Sequence, residues 1–387
     1  MNICVVTTRH APDDDRIYYK EARSLVGRYG HAALVAPGQA DLPATWDPRV
    51  ELHRLPPRRG LAGRLLAVAD AVREVRRLRP DVVHFHDLDL VLAVPFLRWL
   101  TRSRLVYDVH EAYPQAALIS TRIPRPLRPL AARVVEAIEK GLARRCDLLV
   151  TADDPTRDSF DRLPVEALTV FNFPRLELFR GDDARLAELR RRYAGRLPLV
   201  YQGSMAAERG LFHMVRALRP LVDADPRYLL VLIGLKPGPL RRQAEALAAE
   251  LGVTDHLEIH AWVPHVEIVD HLRAAHLGLV PLQPNEKFKR NIPIKIFEYM
   301  ACGLPMVASD VPPIATFVTA AGSGRLFDAT RVDALVEAVL ALTADEEARR
   351  RMGEAGRAAV AGLWNWDRME ERLLEAYARL EAPREER

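Results

Sequence analysis

Short apolar runs alternate with longer stretches of helical periodicity along almost the whole chain. Residues 3–7, 33–36, 82–85, 105–109, 148–151 and 168–171 are short and rich in β-branched side chains, the pattern of buried strands. Between them, 18–26, 61–77 and 130–142 place apolar residues at helical spacing. Strands separated by helices build a parallel sheet. The alternation breaks across 174–196 and then restarts, with strand-like runs at 199–201, 228–233, 257–260, 277–281 and 305–308. The predicted class is therefore α/β: two Rossmann-like, doubly wound parallel-sheet domains, 1–175 and 190–365, facing each other across a cleft. A final helical segment, 366–387, is expected to return to the first domain. Ligands of such sheets bind outside the carboxyl ends of the strands.

The chain has 387 residues, 49% hydrophobic and 28% charged, which excludes a largely disordered protein. Basic residues outnumber acidic ones 56 to 52, and only six of them are lysines. No nucleic-acid-binding motif accompanies the arginines, so no nucleic-acid partner is expected. Cys4, Cys146 and Cys302 are far apart and odd in number. They form neither a disulfide framework nor a paired zinc site, which suits a reducing cytoplasm. No apolar run approaches the roughly 18 residues that span a bilayer, and the strand-like start at Ile3 leaves no room for a signal peptide.

Two stretches are strongly basic: 51–80 has eight arginines against three acids, and 121–146 has seven basic residues against two. Both carry apolar residues at helical spacing. They fit either a plain solvated face or peripheral contact with an anionic membrane. The expected location is cytoplasmic, in the second case peripheral at the inner face of the membrane.

The most informative segment runs from Asn291 to Pro305, Asn-Ile-Pro-Ile-Lys-Ile-Phe-Glu-Tyr-Met-Ala-Cys-Gly-Leu-Pro. Pro293 suits the first turn of a helix and Gly303 its end. The free N–H groups of Ile294 and Lys295, with the positive end of the helix dipole, would then form an anion site. Lys295 is unfavourable in a first turn unless an anion arrives, and Glu298 lies one turn along the same face. The plain alternative is a solvated Lys–Glu pair. Two of the other lysines, Lys287 and Lys289, lie just upstream.

The first strand of the second domain leads into Tyr201-Gln-Gly-Ser-Met-Ala-Ala-Glu-Arg-Gly210. Gly203 lets the backbone approach a ligand closely, and the Arg209 fork suits a diphosphate; alone, Arg209 also reads as a helix-start residue facing water. In the first domain, His84, His86 and Asp87 sit at the end of one predicted strand, and His110 and Glu111 at the end of the next. His84, His86, His110 and Glu111 can be read as a metal cluster, but the spacing is not that of zinc ligands, and no metal is expected. Within Thr7–Ile17 the run Asp13-Asp14-Asp15 offers either metal-binding carboxylates or, at Asp15, a helix N-cap.

Together these motifs resemble the retaining nucleotide-sugar glycosyltransferases of the two-Rossmann-domain (GT-B) type, family 4. The resemblance covers nearly the whole chain, with its specific motifs concentrated in 200–325. It implies transfer of a hexose-type sugar from a nucleoside-diphosphate sugar, with UDP the plainest guess, to a saccharide, lipid-linked or small-molecule acceptor. The donor is a co-substrate, and no cofactor is implied. Arg209, Lys295 and the helix N-terminus would hold the diphosphate. Glu298 matches the second glutamate of the family's E-x7-E pair. Arg290 stands where the first is expected, which puts sugar-hydroxyl recognition there in doubt and suggests a phosphate contact instead.

Gly203, Trp262, Val263, Arg290, Asn291, Pro293 and Ile294 complete the implied donor contacts, with Trp262 as readily explained by packing. His110 would lie near the donor sugar and reacting carbon. Asp15, Arg16 and Asp87 would face the acceptor. Ser204, in place of the family's first basic residue, and Gly322-Ser-Gly-Arg325 are weaker parts of the match. A nucleotide-sugar epimerase or hydrolase of the same fold, and a catalytically silent sugar-nucleotide-binding protein, remain rival readings.

Overall fold

The computed structural model describes residues 1–38, 42–43, 45–58, 60–110, 112–120, 123–261, 263–286 and 288–381. The chain divides into two compact units, Met1–Asn172 with the segment from Trp366 onward, and Phe173–Asn365. The second unit thus begins at Phe173 rather than near residue 190, because the helix Asp183–Arg192 buries Leu186 and Leu189 within it.

Unit one holds a seven-stranded sheet: β1 (Ile3–Val6), β2 (Ala32–Pro37), β3 (Val50–Leu55), β4 (Val82–Phe85), β5 (Arg104–Val109), β6 (Leu148–Thr151) and β7 (Ala167–Thr169). Their spatial order is β3-β2-β1-β4-β5-β6-β7, and each pair is parallel. Unit two holds β8 (Leu197–Gln202), β9 (Tyr228–Ile233), β10 (Leu257–His260), β11 (Leu277–Val280), β12 (Met306–Ser309) and β13 (Gly324–Phe327). The order is β10-β9-β8-β11-β12-β13, again all parallel. In both sheets the strand order reverses beside the first strand, between β1 and β4 and between β8 and β11. Such a switch point opens a crevice at the carboxyl ends of the strands.

The edge strands β3 and β13 escape the sequence pattern. β3 has apolar residues only at alternate or terminal positions, with Glu51 and Arg54 exposed, and it reads as part of a basic stretch. At the other edge, Gly322 ends the helix Pro312–Ala321 and Gly324 starts β13. The Gly322–Arg325 segment is therefore a helix end and strand start rather than a single glycine-rich turn.

Asn365 closes unit two by donating from its side chain to the Val360 and Ala361 carbonyls at 2.8 and 2.9 Å. The helix Trp366–Glu381 then belongs to unit one. Trp366 is fully buried there and its indole N–H donates to Ser24 Oγ at 2.9 Å.

Candidate active site

In unit two the helix Lys295–Cys302 begins shortly after β11. It starts two residues later than the position of Pro293 suggests, with Ile294 at the N-cap and no side-chain cap. The Pro293 carbonyl accepts from Ile296 N–H at 3.2 Å, so Pro293 forms the approach to the helix. Among the described residues nothing accepts a hydrogen bond from the N–H of Ile294 or Lys295. Both point out of the helix end, where an anion is favoured.

Lys295 is buried, and its Nζ donates to the Gln202 carbonyl at 2.7 Å. The ammonium also lies 3.4 Å from the centre of the Tyr201 ring, a cation–π contact. Among the described residues no carboxylate comes within ion-pair reach of it. Burial lowers its proton affinity well below the usual lysine range, the Arg209 charge lowers it further, and Glu298 offsets part of the effect. Arg209 itself sits on a short turn, Ala207–Arg209, with its guanidinium 5.8 Å from the Phe288 ring centre. Two cations are thus held near one another with one carboxylate close by. An arriving anion relieves that repulsion.

Gly203 takes φ +110, and a Cβ there would stand 3.6 Å from Lys295 Nζ. The glycine keeps the space over the ammonium open. Behind it Gly234 takes φ +105, where a Cβ would press to 2.5 Å from the Gly203 carbonyl oxygen. The carboxyl ends of β8 and β9 are therefore in close contact. Glu298 accepts from the Gln202 side-chain amide. The sequence reading missed Gln202 and Gly234, although both lie where strands β8 and β9 end. Val263 is buried, Asn291, Pro293 and Ile294 are half-buried, and Arg290 is exposed. Trp262 and Lys287 lie outside the described residues.

In unit one a second polar group gathers at the carboxyl ends of β1, β4 and β5. Asp87 adopts φ +71, a costly backbone for a residue other than glycine. It accepts from Thr7 Oγ1 at 2.7 Å and from Thr8 N–H at 2.9 Å, and lies 3.3 Å from His10 Nε2. Hydrogen bonds to Asp14 and Asp87 raise His10 to about 10, so it is an imidazolium at neutral pH. Burial works against the Asp14 charge, but His10 holds that carboxyl down at about 2.

Asp14, rather than Asp15, caps the following wide helical turn, Asp15–Ala22, by accepting from Arg16 and Ile17 N–H. Asp15 instead pairs with Lys20 at 2.6 Å. Arg16 is turned inward, against the expectation that it faces an acceptor: it is 4% exposed and pairs with Glu21 and Asp108, each at 2.8 Å. Sequence distance hides this contact, since Asp108 lies 92 residues away. His84 and His86 are fully buried beside these carboxylates, and burial lowers both. His110 joins them, its Nε2 2.6 Å from His86 Nδ1 and 3.2 Å from Asp108 Oδ1, and its side chain keeps 13% exposure. Glu111 lies outside the described residues.

Comparison with known proteins decides the family. Residues 17–175 match the glycosyl transferase 4-like domain, and 191–359 match glycosyl transferases group 1. A D-inositol 3-phosphate glycosyltransferase of Geodermatophilus obscurus is 31% identical over 339 residues, 82% of this chain and 71% of its own. The chain belongs to the group 1 glycosyltransferases. A GDP-mannose-dependent alpha-(1-6)-phosphatidylinositol monomannoside mannosyltransferase of Mycobacterium tuberculosis is 27% identical over 301 residues, 74% of this glycosyltransferase and 75% of its own chain. Among solved structures, HepE of Anabaena in complex with UDP-glucose superposes with a TM-score of 0.74 at 14% identity, covering 98% of this chain and 100% of its own. The fold is that of the GT-B enzymes.

Proposed function

We propose that this glycosyltransferase takes a hexose-type sugar from a nucleoside-diphosphate sugar and transfers it, with retention, to a hydroxyl of a saccharide, lipid-linked or small-molecule acceptor. The observation that carries this reading is the buried Lys295 ammonium beside Arg209, facing Gly203 and an uncapped helix start. Negative charge grows on the diphosphate as the bond to the sugar breaks. Cations and backbone N–H groups already aimed at that position stabilise it without reorganising. Arg209 supplies a planar fork for two phosphate oxygens, and Lys295 supplies a point charge whose proton affinity the bound anion restores. With these groups in place, no metal is needed at the leaving group.

The HepE complex supports a UDP-sugar donor, and the mycobacterial relative's name supports a GDP-sugar. UDP is our first choice. Glu298, oriented by Gln202, is assigned to the ribose or the donor sugar, and Arg290 to phosphate. His110 is assigned to the donor sugar, since it is the partly exposed member, at 13%, of a group whose His84 and His86 are fully buried. Asp15 is assigned to the acceptor; Asp87, 2% exposed and taken up by Thr7, Thr8 and His10, is assigned to holding the first loop beside it.

Among the described residues no helix is long and apolar enough to cross a membrane. We propose a cytoplasmic enzyme that rests on the inner membrane face through unit one. Leu127, Leu130, Val134 and Ile138 form an exposed stripe along the segment leading into and through the helix Arg128–Ala143. Leu61, Leu65 and Leu66 are exposed at the start of the helix Gly60–Leu78, and Trp99 is 80% exposed on the helix Val94–Thr101. The neighbouring arginines suit anionic lipid.

The test is turnover across UDP-, GDP-, ADP- and dTDP-sugars with a panel of acceptors, reading the product's anomeric configuration by NMR. Retained configuration with one nucleotide class is expected. A new sugar isomer formed without any acceptor would indicate an epimerase, and an inverted product would refute retention.

A further inference from the structure

The buried group behind His110 contains an arrangement that the transfer reaction does not use. Glu21, His84, His86 and Asp108 are each 0% exposed, and one ligand-capable atom from each lies within 4.8 Å of the others. His84 Nε2 is 3.6 Å from both Glu21 Oε2 and Asp108 Oδ2, and His86 Nε2 is 3.3 Å from Glu21 Oε2. The two 3.6 Å separations are too long for hydrogen bonds, and the 3.3 Å one is at the long end of their range. Among the described residues, His84 Nε2, His86 Nε2 and Glu21 Oε2 have no hydrogen-bond partner. Buried polar atoms are rarely left so, and three that converge on one point call for an occupant.

The three separations of 3.3–3.6 Å match one, and the rest of the set stays within 4.8 Å. An ion held tetrahedrally at about 2.0–2.2 Å from imidazole nitrogen and carboxylate oxygen has ligand-to-ligand edges of about 3.3–3.6 Å. The outer contacts match as well. His84 Nδ1 meets the Tyr377 hydroxyl at 2.7 Å and His86 Nδ1 meets His110 Nε2 at 2.6 Å. Each ring can therefore be held by its Nδ1 while the Nε2 lone pair faces inward, as metal-bound histidines are held by an outer partner. Arg16 offsets one of the two carboxylate charges, and burial with the Asp108 charge pushes the Glu21 carboxyl well above the usual carboxylate range, so a bound cation would take the place of its proton.

We propose that Glu21, His84, His86 and Asp108 bind a divalent cation, with zinc favoured by the two-nitrogen, two-oxygen set. It joins the ends of β4 and β5 to the helical turn after the first loop and, through His86, orients His110. It is a positioning site in unit one, separate from the diphosphate site of unit two, and it departs from the expectation of a metal-free chain. Glu21 and Asp108 take the carboxylate places that the sequence reading gave to Glu111.

The test is elemental analysis of the full chain, purified without a metal-affinity column from zinc-supplemented cells, together with visible absorption after growth in cobalt. About one zinc per chain is expected, with the intense ligand-field bands of four-coordinate cobalt(II). Metal content should fall at least about tenfold in both Glu21→Gln and His86→Gln. Wild-type protein with neither zinc nor cobalt after supplemented growth would overturn the proposal and leave a shared proton as the occupant. Undiminished metal in both variants would also overturn it. If the variants fail to fold, the wild-type cobalt spectrum decides: four-coordinate bands support the site, and weak six-coordinate bands or none refute it.

Discussion

The Lys295 ammonium donates to the Gln202 carbonyl at 2.7 Å, while the Gln202 side chain donates to Glu298. One residue at the end of β8 thus anchors both charged groups of the helix Lys295–Cys302, and their spacing depends on it. Gln202→Ala should therefore raise the KM for the donor more than it lowers kcat. Steady-state kinetics with saturating acceptor checks this; an unchanged KM would show that Glu298 is held by other contacts.

Lys295→Met should separate catalysis from stability. Loss of a preorganised cation at the leaving group is expected to reduce kcat/KM at least about 100-fold. The ligand-free fold should not suffer in proportion, because a buried cation repelled by Arg209 is replaced by an apolar chain of similar length. The pH dependence has a definite sign. With its affinity lowered in the fold, Lys295 binds fewer protons folded than unfolded at pH values between its lowered pKa and the ordinary lysine range. Wild-type stability should rise with pH across that window, and the variant should lose this rise. Urea unfolding at several pH values measures it.

Gly203→Ala places a methyl group 3.6 Å from Lys295 Nζ on a backbone at φ +110. The strained backbone should cost about 1–3 kcal/mol, and the filled space should weaken donor binding. Thermal unfolding and donor titration report the two effects separately. Retained affinity would mean that the diphosphate does not pass over Gly203.

The four strands whose bounds match the hydrophobic pattern, β4, β6, β9 and β10, were legible for a simple reason: each is a short apolar or β-branched run with clear ends. Edge strands β3 and β13 were not, because one-sided exposure admits Glu51, Arg54 and Arg325. At the site, Lys295, Arg209 and Gly203 stood out because charge or glycine at a strand or helix end is unusual. Gln202 had no such mark, and Gly234 and the Arg16–Asp108 pair, though at element ends, lay in no motif that gave them a partner. Their roles come from contacts across the sheet, between residues far apart in the chain.

Glu139 provides an independent check on unit one. It is buried, accepts from the Tyr107 hydroxyl at 2.8 Å and is raised by burial to about 7. A carboxyl raised in the fold binds more protons folded than unfolded, so stability should fall as pH rises from about 4.5 through 7. Glu139→Gln should match wild type near pH 5 and exceed it at pH 8, by at most about 3 kcal/mol. Denaturant unfolding at the two pH values measures the gap.

Vesicle binding tests the exposed apolar stripe. Leu130→Glu with Trp99→Ser should reduce co-sedimentation with anionic vesicles, and added salt should weaken wild-type binding. Equal binding to neutral and anionic vesicles would exclude the arginines from the contact.

The electropositive socket at Lys295 is tested most directly by calorimetric titration of wild-type protein and Lys295→Ala with UDP, GDP, ADP and dTDP. At least one diphosphate should bind the wild type with a Kd tighter than about 1 mM, and the variant should lose about 1.4 kcal/mol or more, tenfold in Kd. Equal affinity in both proteins, or no binding of any of the four to the wild type, would contradict a diphosphate role for this helix start.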